Sequence, residues 1–249
     1  MAKGQLSTRR LVATCVIGIC LEGFDFIIYS MFAFIIAKQF FPTGNELTSL
    51  MLALLSFGLA YVIRPLGGIF WGIYADKIGR RPALAWISIS MAVGTAIVAF
   101  APTYAMIGIA APALMLLARL IQGFSVSGEF ASATAMLIEY APPEKKGLYA
   151  SYQMAAQVGT VAVGAFLVLV LTQSLAPADL QSWGWRVLFA VGLLIGPVGY
   201  YMRTRLDESP EFLRYVEARG QPAARPLRDA LTKHGPRLNQ VMSPLTTMG

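Results

Sequence analysis

The sequence predicts an all-α membrane protein built from six transmembrane helices. Hydrophobic residues make up 56% of the chain and charged residues only 13%, whereas soluble domains carry roughly a quarter charged residues. Several apolar runs reach the roughly 20 residues that a helix needs to cross a bilayer. The alternation of apolar and polar residues that is typical of membrane β-barrels is absent, which leaves helices as the spanning structure.

Six segments meet this expectation in turn. They cover residues 11–37, 48–74, 83–101, 106–138, 147–172 and 185–203. Each is predominantly apolar and bounded by charged or turn-forming residues. Pro197 lies within the sixth segment and predicts a kink there, because proline removes one backbone donor from the helix.

Three parts of the chain are predicted from this pattern. Residues 1–205 form the six-helix unit, and residues 206–235 form a basic cytoplasmic linker. Asp207–Phe212 has the proline and acidic residues of a helix start, so a short amphipathic helix is expected from there to about Arg219. Residues 236–249 are polar and are predicted to form an atypical tail rather than a seventh membrane helix.

The positions of the lysines and arginines predict the orientation of the chain in the membrane. Most lie before the first segment, between the second and third, between the fourth and fifth, or after the sixth: Lys3, Arg9, Arg10, Lys77, Arg80, Arg81, Lys145, Lys146, Arg203, Arg205, Arg214, Arg219, Arg225, Arg228, Lys233 and Arg237. The positive-inside rule therefore places both termini in the cytoplasm. The expected location is a bacterial inner membrane. This bias, with attraction to anionic lipid, accounts for the net charge of +7 and disfavours a nucleic-acid partner.

A ten-residue stretch, Gly72–Arg81, lies between the second and third segments. We expect a short cytoplasmic loop here, with one acid, two turn glycines and three cations: Asp76, Gly72, Gly79, Lys77, Arg80 and Arg81.

Five ionisable residues fall inside predicted membrane helices, where burial is costly and function is the default expectation: Glu22, Asp25, Arg64, Arg119 and Glu129. Glu22 and Asp25 are three residues apart and share a helix face, which Tyr29 extends by one turn. Burial disfavours a charged carboxylate and a nearby cation favours it, so such an acid can load and release a proton. We predict proton coupling by Asp25 and Glu22; a static ion pair is the alternative.

Arg119, Gln122, Arg64 and Tyr29 are the predicted substrate-binding residues. A guanidinium stays charged and can clamp a carboxylate, either that of Asp25 or that of an anionic substrate. A structural tether is the alternative for Arg119, and Arg64 either faces the cavity or extends to the cytoplasmic interface. Glu129 and Glu139 are expected to act as a gate or as an ion pair.

The chemistry of an enzyme is not apparent. The single histidine, His234, lies in the predicted linker, so no histidine-based metal site or triad fits the membrane region. The segment Gly123–Gly128 lacks the spacing of a serine nucleophile loop, and no phosphate-binding loop is present. We therefore expect no cofactor and no metal, and a proton gradient as the driving force.

Several motifs resemble a known family. Gly72–Arg81 resembles the signature loop between the second and third helices of the major facilitator superfamily. Five further segments resemble its metabolite:proton symporter family: Leu21–Tyr29, Arg64–Gly68, Arg119–Glu129, Glu139–Gly147 and Trp183–Arg186. The resemblance covers roughly residues 11–215, and segments after Phe41 and around Ile107–Leu114 are most similar to the citrate and tricarballylate branch. It departs at Ser127, where the family usually has glycine.

The resemblance implies the N-terminal half of a major facilitator superfamily bundle. Complete members have two six-helix halves that hold the substrate between them and rock alternately. The expected function is proton-coupled symport of a small organic acid such as citrate or another di- or tricarboxylate, with a second half or a second copy of the chain as partner. Two alternatives remain: a truncated or non-transporting six-helix module, and a symporter of a zwitterionic osmolyte.

Overall fold

A computed structural model describes residues 8–204 of the chain, together with Leu213 and Glu217. These residues are almost entirely helical, and none of them forms a strand. Apart from Leu213 and Glu217, the predicted linker and tail lie outside the described residues, as does the amphipathic helix expected from Asp207.

The described residues form eleven α-helices in chain order. They are α1 (Thr8–Met31), α2 (Ala33–Phe40), α3 (Glu46–Val62), α4 (Arg64–Ile78), α5 (Arg80–Phe100), α6 (Tyr104–Ile107), α7 (Ala110–Glu139), α8 (Lys146–Ser174), α9 (Pro177–Asp179), α10 (Trp185–Gly192) and α11 (Ile195–Thr204). A 3₁₀ turn, Pro143–Lys145, precedes α8, and a π-helical turn, Leu180–Gly184, precedes α10.

Five described stretches are long and apolar enough to cross a membrane: Val12–Met31, Glu46–Ile78, Arg80–Phe100, Ala110–Glu139 and Pro143–Ser174. They correspond to the first five predicted segments. The helix pair α3 and α4 is nearly continuous, because the N–H of Gly67 still reaches the carbonyl of Ile63 at 3.1 Å. The predicted all-α membrane fold is confirmed.

The sixth predicted segment is divided into α10 and α11. Pro197 has no N–H to donate to the carbonyl of Leu193, and its ring crowds that carbonyl. The N–H of Gly196 donates to it instead at 3.2 Å. The interruption lies where Pro197 predicts it, and the freed carbonyl is satisfied within the same segment.

The connection between α4 and α5 is much shorter than expected. Helix α4 continues through Gly72 and Asp76, and only Gly79 lies outside a helix before α5 begins. Gly79 has φ +104° and ψ 159°, a conformation that only glycine adopts readily. The prediction that Gly72 makes a turn is wrong, because its backbone is helical and no other side chain crowds the position.

Helix α7 is central in the bundle and packs against α3, α4, α5, α8 and α1. Two glycines of α7 allow its backbone to approach α3 and α4 closely. A Cβ on Gly123 would collide with the backbone of Ala60 on α3, and one on Gly128 would lie 2.5 Å from Trp71 on α4. Small residues at such crossings let helix backbones approach closely in a membrane.

Two hydrogen bonds from Arg186 join α10 to the end of α5. Arg186 donates from Nη1 to the carbonyl of Ala99 and from Nη2 to that of Ala101, both at 2.8 Å. These are among the last carbonyls of α5, which have no partner within the helix. The guanidinium therefore caps α5 and holds the start of the sixth segment against it.

Candidate functional site

A buried ion pair lies where α1, α5 and α7 meet. Arg119 Nη2 lies 3.2 Å from Asp25 Oδ2, and both side chains are 0% exposed. Gln122 Nε2 donates to the same carboxylate oxygen at 2.7 Å and to Thr95 Oγ1 at 3.1 Å. One oxygen of Asp25 therefore accepts two donors that come from a single helix, α7.

A glycine on α5 makes room for this arrangement. A Cβ on Gly94 would lie 2.5 Å from Cγ of Gln122, so a larger residue would block that side chain from crossing to α1. Sequence reasoning predicted Asp25 as a proton-coupling residue and Arg119 and Gln122 as substrate-binding residues, but it missed Gly94 and Thr95. Both residues are small, and small residues in an apolar helix are also explained by helix packing alone.

Tyr29 supports the buried pair from α1. Cζ of Arg119 lies 4.0 Å from the centre of its ring, a distance at which the ring face attracts a cation. The Tyr29 hydroxyl lies 2.7 Å from Ser56 Oγ, within hydrogen-bond distance, and it donates to the carbonyl of Ala53 at 3.4 Å. This chain of contacts connects the ion pair to α3.

A cavity of about 570 Å³ opens beside the buried pair. Its walls come from α1, α3, α4, α7 and α8, and its polar lining residues are Glu22, Arg64, Tyr61, Ser127, Gln153 and Gln157. A volume of this size lies within the range of small-molecule sites. Arg64 is among the residues that line this cavity.

Phe26 is the shared neighbour of the cavity and the buried pair. Its side chain lines the cavity, and the residue is only 7% exposed. The centre of its ring lies 5.1 Å from Cζ of Arg64 and 5.9 Å from Cζ of Arg119. The ring therefore contacts the cation in the cavity wall as well as the cation of the sealed pair.

The structure divides the predicted site residues into two groups. Glu22 and Arg64 line the cavity, whereas Arg119, Gln122 and Tyr29 are fully buried next to it and do not line it. In this conformation protein groups surround the last three side chains.

Sequence reasoning assigned no site role to five polar or aromatic residues that line the cavity: Phe26, Tyr61, Ser127, Gln153 and Gln157. The two glutamines are polar residues one turn apart in the apolar helix α8, and this spacing could have identified them from the sequence. Gln153 lies on the buried face of α8 with the small residues Ala156, Thr160 and Gly164.

The predicted cytoplasmic charges also meet. Arg80 Nη2 lies 3.8 Å from Asp76 Oδ1 and 3.7 Å from Glu139 Oε1, so it bridges the ends of α4 and α7. Glu129 is buried on α7, only 3% exposed. Across residues 8–204, no group of three or more His, Cys, Asp or Glu side chains is placed to hold a metal ion.

Comparison with known proteins gives a consistent result. The family model described as "Sugar (and other) transporter" matches residues 11–246. The chain is 35% identical to the proline/betaine transporter of Salmonella typhimurium, over 89% of this chain and 44% of that protein. It is 40% identical to the citrate-proton symporter of Klebsiella pneumoniae, over 77% of this chain and 43% of that protein.

Among solved structures, the chain resembles the proton:xylose symporter XylE of the major facilitator superfamily with a TM-score of 0.76. The two are 18% identical, and the match covers 86% of this chain and 47% of that one. At this identity the likeness concerns the fold. The chain spans about half the length of the curated relatives it matches.

Proposed function

The chain belongs to the sugar (and other) transporter family of the major facilitator superfamily, a family of transporters rather than enzymes, and we propose that it forms the first six-helix half of a proton-coupled symporter for a small organic acid. Citrate or another di- or tricarboxylate is the proposed substrate. The second wall of the site comes from a further six-helix half or from a second copy of the chain. The proposed location is a bacterial inner membrane, with both termini in the cytoplasm.

The observation that carries this proposal is the sealed Asp25–Arg119 pair beside the cavity. A buried ion pair is stable only while both charges are present, and removal of one leaves the other uncompensated. A proton on Asp25 removes the negative charge, while Arg119 stays charged. An anionic substrate then supplies the missing charge, so that proton and anion favour each other's binding.

Arg64 gives the anion its first contact in this scheme. Arg64 lines the open cavity, and the ring of Phe26 neighbours both Arg64 and Arg119. A rearrangement of Phe26 would expose Arg119 to a substrate carboxylate already held by Arg64. Glu22, in the same wall, is the proposed second proton-coupling carboxylate.

A zwitterionic osmolyte is the second candidate substrate. The cavity wall contains one acid, Glu22, and one cation, Arg64, which together complement a molecule with both charges. The proline/betaine transporter of Salmonella typhimurium is among the relatives. Uptake of citrate compared with uptake of glycine betaine separates the two candidates.

The test is uptake into membrane vesicles driven by an imposed pH gradient. The chain is used alone and together with the second six-helix half of the Klebsiella pneumoniae relative. Asp25→Asn should abolish gradient-driven uptake and leave membrane insertion intact, while Asp179→Asn, the same change at an exposed acid, should have no effect. Unchanged uptake by Asp25→Asn would refute proton coupling by Asp25. Absence of uptake under every condition would favour a non-transporting module.

A further inference from the structure

Gln153 is a buried amide in the wall of the cavity. It lies on α8, is only 3% exposed, and lines the cavity together with Gln157 one turn further along the helix. Arg64 on α4 lines the same cavity from another wall. A polar side chain in this position is costly to bury unless both of its ends find hydrogen-bond partners.

Only one end of the amide is held. The hydroxyl of Thr134 on α7 donates to Oε1 of Gln153. Nε2 is buried and has no hydrogen-bond partner among the described residues. A carbonyl that already accepts from a neighbouring helix leaves the NH₂ group as the end available to a bound molecule.

We propose that Gln153 is a specificity-determining residue that donates a hydrogen bond to a carboxylate oxygen of the substrate, and that Thr134 is the positioning residue that keeps its NH₂ group available. This rests on the symport function proposed above. Arg64 attracts any anion by charge, whereas a neutral amide with a fixed orientation recognises an acceptor atom. A site built to donate a hydrogen bond discriminates against molecules that lack the acceptor.

Thr134 gives the proposal its sharpest consequence, because it does not line the cavity. Without its hydroxyl, the amide is free to turn and present its carbonyl oxygen to the substrate. That oxygen would repel a carboxylate. Removal of one hydroxyl outside the cavity should therefore weaken recognition inside it, and a serine at the same position should restore recognition.

The experiment measures initial rates of uptake in the vesicles described above, with citrate and glycine betaine as probes. Gln153→Leu should raise KM for the transported probe by about tenfold or more, because it removes a hydrogen bond to a charged group. Gln153→Glu should raise it further by repulsion. Thr134→Val should raise KM in the same direction, while Thr134→Ser stays near the unmodified protein.

The matched control is Gln173→Leu, the same change at an exposed glutamine of α8. Each variant is quantified in the membrane by immunoblot, and KM does not depend on that amount. A KM within about twofold of the unmodified protein for Gln153→Leu and Gln153→Glu overturns the proposal, as does an equal loss in Thr134→Val and Thr134→Ser. Either of these two results would overturn the role of Gln153 while the unmodified protein still shows gradient-driven uptake. If the proposed symport function itself is wrong, the unmodified protein transports neither probe.

Discussion

Asp25→Asn should destabilise the folded bundle by about 3–5 kcal/mol, because it leaves the Arg119 guanidinium buried without a counter-charge. Both side chains are 0% exposed, so water does not compensate either charge. The ring of Tyr29, 4.0 Å from Cζ of Arg119, remains and retains about 2 kcal/mol of favourable interaction. We therefore expect the lower end of the range, a change of about a hundredfold in the unfolding equilibrium constant.

A double-mutant cycle isolates the pair. Arg119→Gln removes the cation and leaves the carboxylate with its bond from Gln122, so it should also destabilise the bundle. The double variant places two neutral amides side by side and should cost about 2 kcal/mol less than the sum of the single changes. Its remaining cost reflects the loss of the contact between Arg119 and Tyr29.

The assay is denaturant unfolding of the purified chain in detergent micelles, followed by circular dichroism. Asp179→Asn is the control, because Asp179 is exposed at the end of α9 and should be neutral. Costs that add to within about 0.5 kcal/mol would refute the reasoning, since independent sites behave in this way.

Three further predictions use the same unfolding assay. Gly123→Ala should destabilise by at least about 2 kcal/mol, because its Cβ would collide with the backbone of Ala60, whereas Gly58→Ala, where no other atom lies within 4 Å, should not. Gly79→Ala should cost about 1–2 kcal/mol, because alanine is strained at φ +104°. Phe26→Ala should cost about 3–5 kcal/mol and increase proton leak in vesicles, because it removes the ring between the cavity and the buried cation.

Each of these has an outcome that would contradict it. Equal stability of Gly123→Ala and Gly58→Ala would mean that α7 and α3 do not pack as closely as described. No cost at Gly79 would mean that the α4–α5 connection does not need a left-handed residue. A Phe26→Ala variant with an unchanged leak would show that the ring does not separate the ion pair from the cavity.

Much of the fold follows from the sequence. The apolar runs predicted the five long helices within a few residues, and Pro197 predicted the break in the sixth segment. The prediction failed at Gly72, because glycine is compatible with both a helix and a turn, and local sequence does not choose between them. At Gly79 the same residue type does leave the helix, since α4 and α5 must reverse direction within one residue.

The candidate site was predicted in part. The cost of burying a charge in a membrane points to Asp25, Arg119 and Arg64 from the sequence alone. The spacing of residues on one helix says which of them share a face, but not which face meets which neighbour. The contacts of Gln122 with α1 and α5 depend on the absence of a side chain at Gly94, more than twenty residues earlier in the chain.

By itself, the sequence determined that the chain is a helical membrane protein, because apolar length is a local property. It also predicted that a small set of charges inside the membrane is functional, because the cost of burying a charge is local as well. Only the tertiary structure decided that Asp25 and Arg119 are sealed while Glu22 and Arg64 face an open cavity. It also decided that Gln153 lies in the cavity wall with its Nε2 unpartnered among the described residues. These facts depend on the rotation and depth at which distant helices pack, and that packing is set by contacts between residues far apart in sequence.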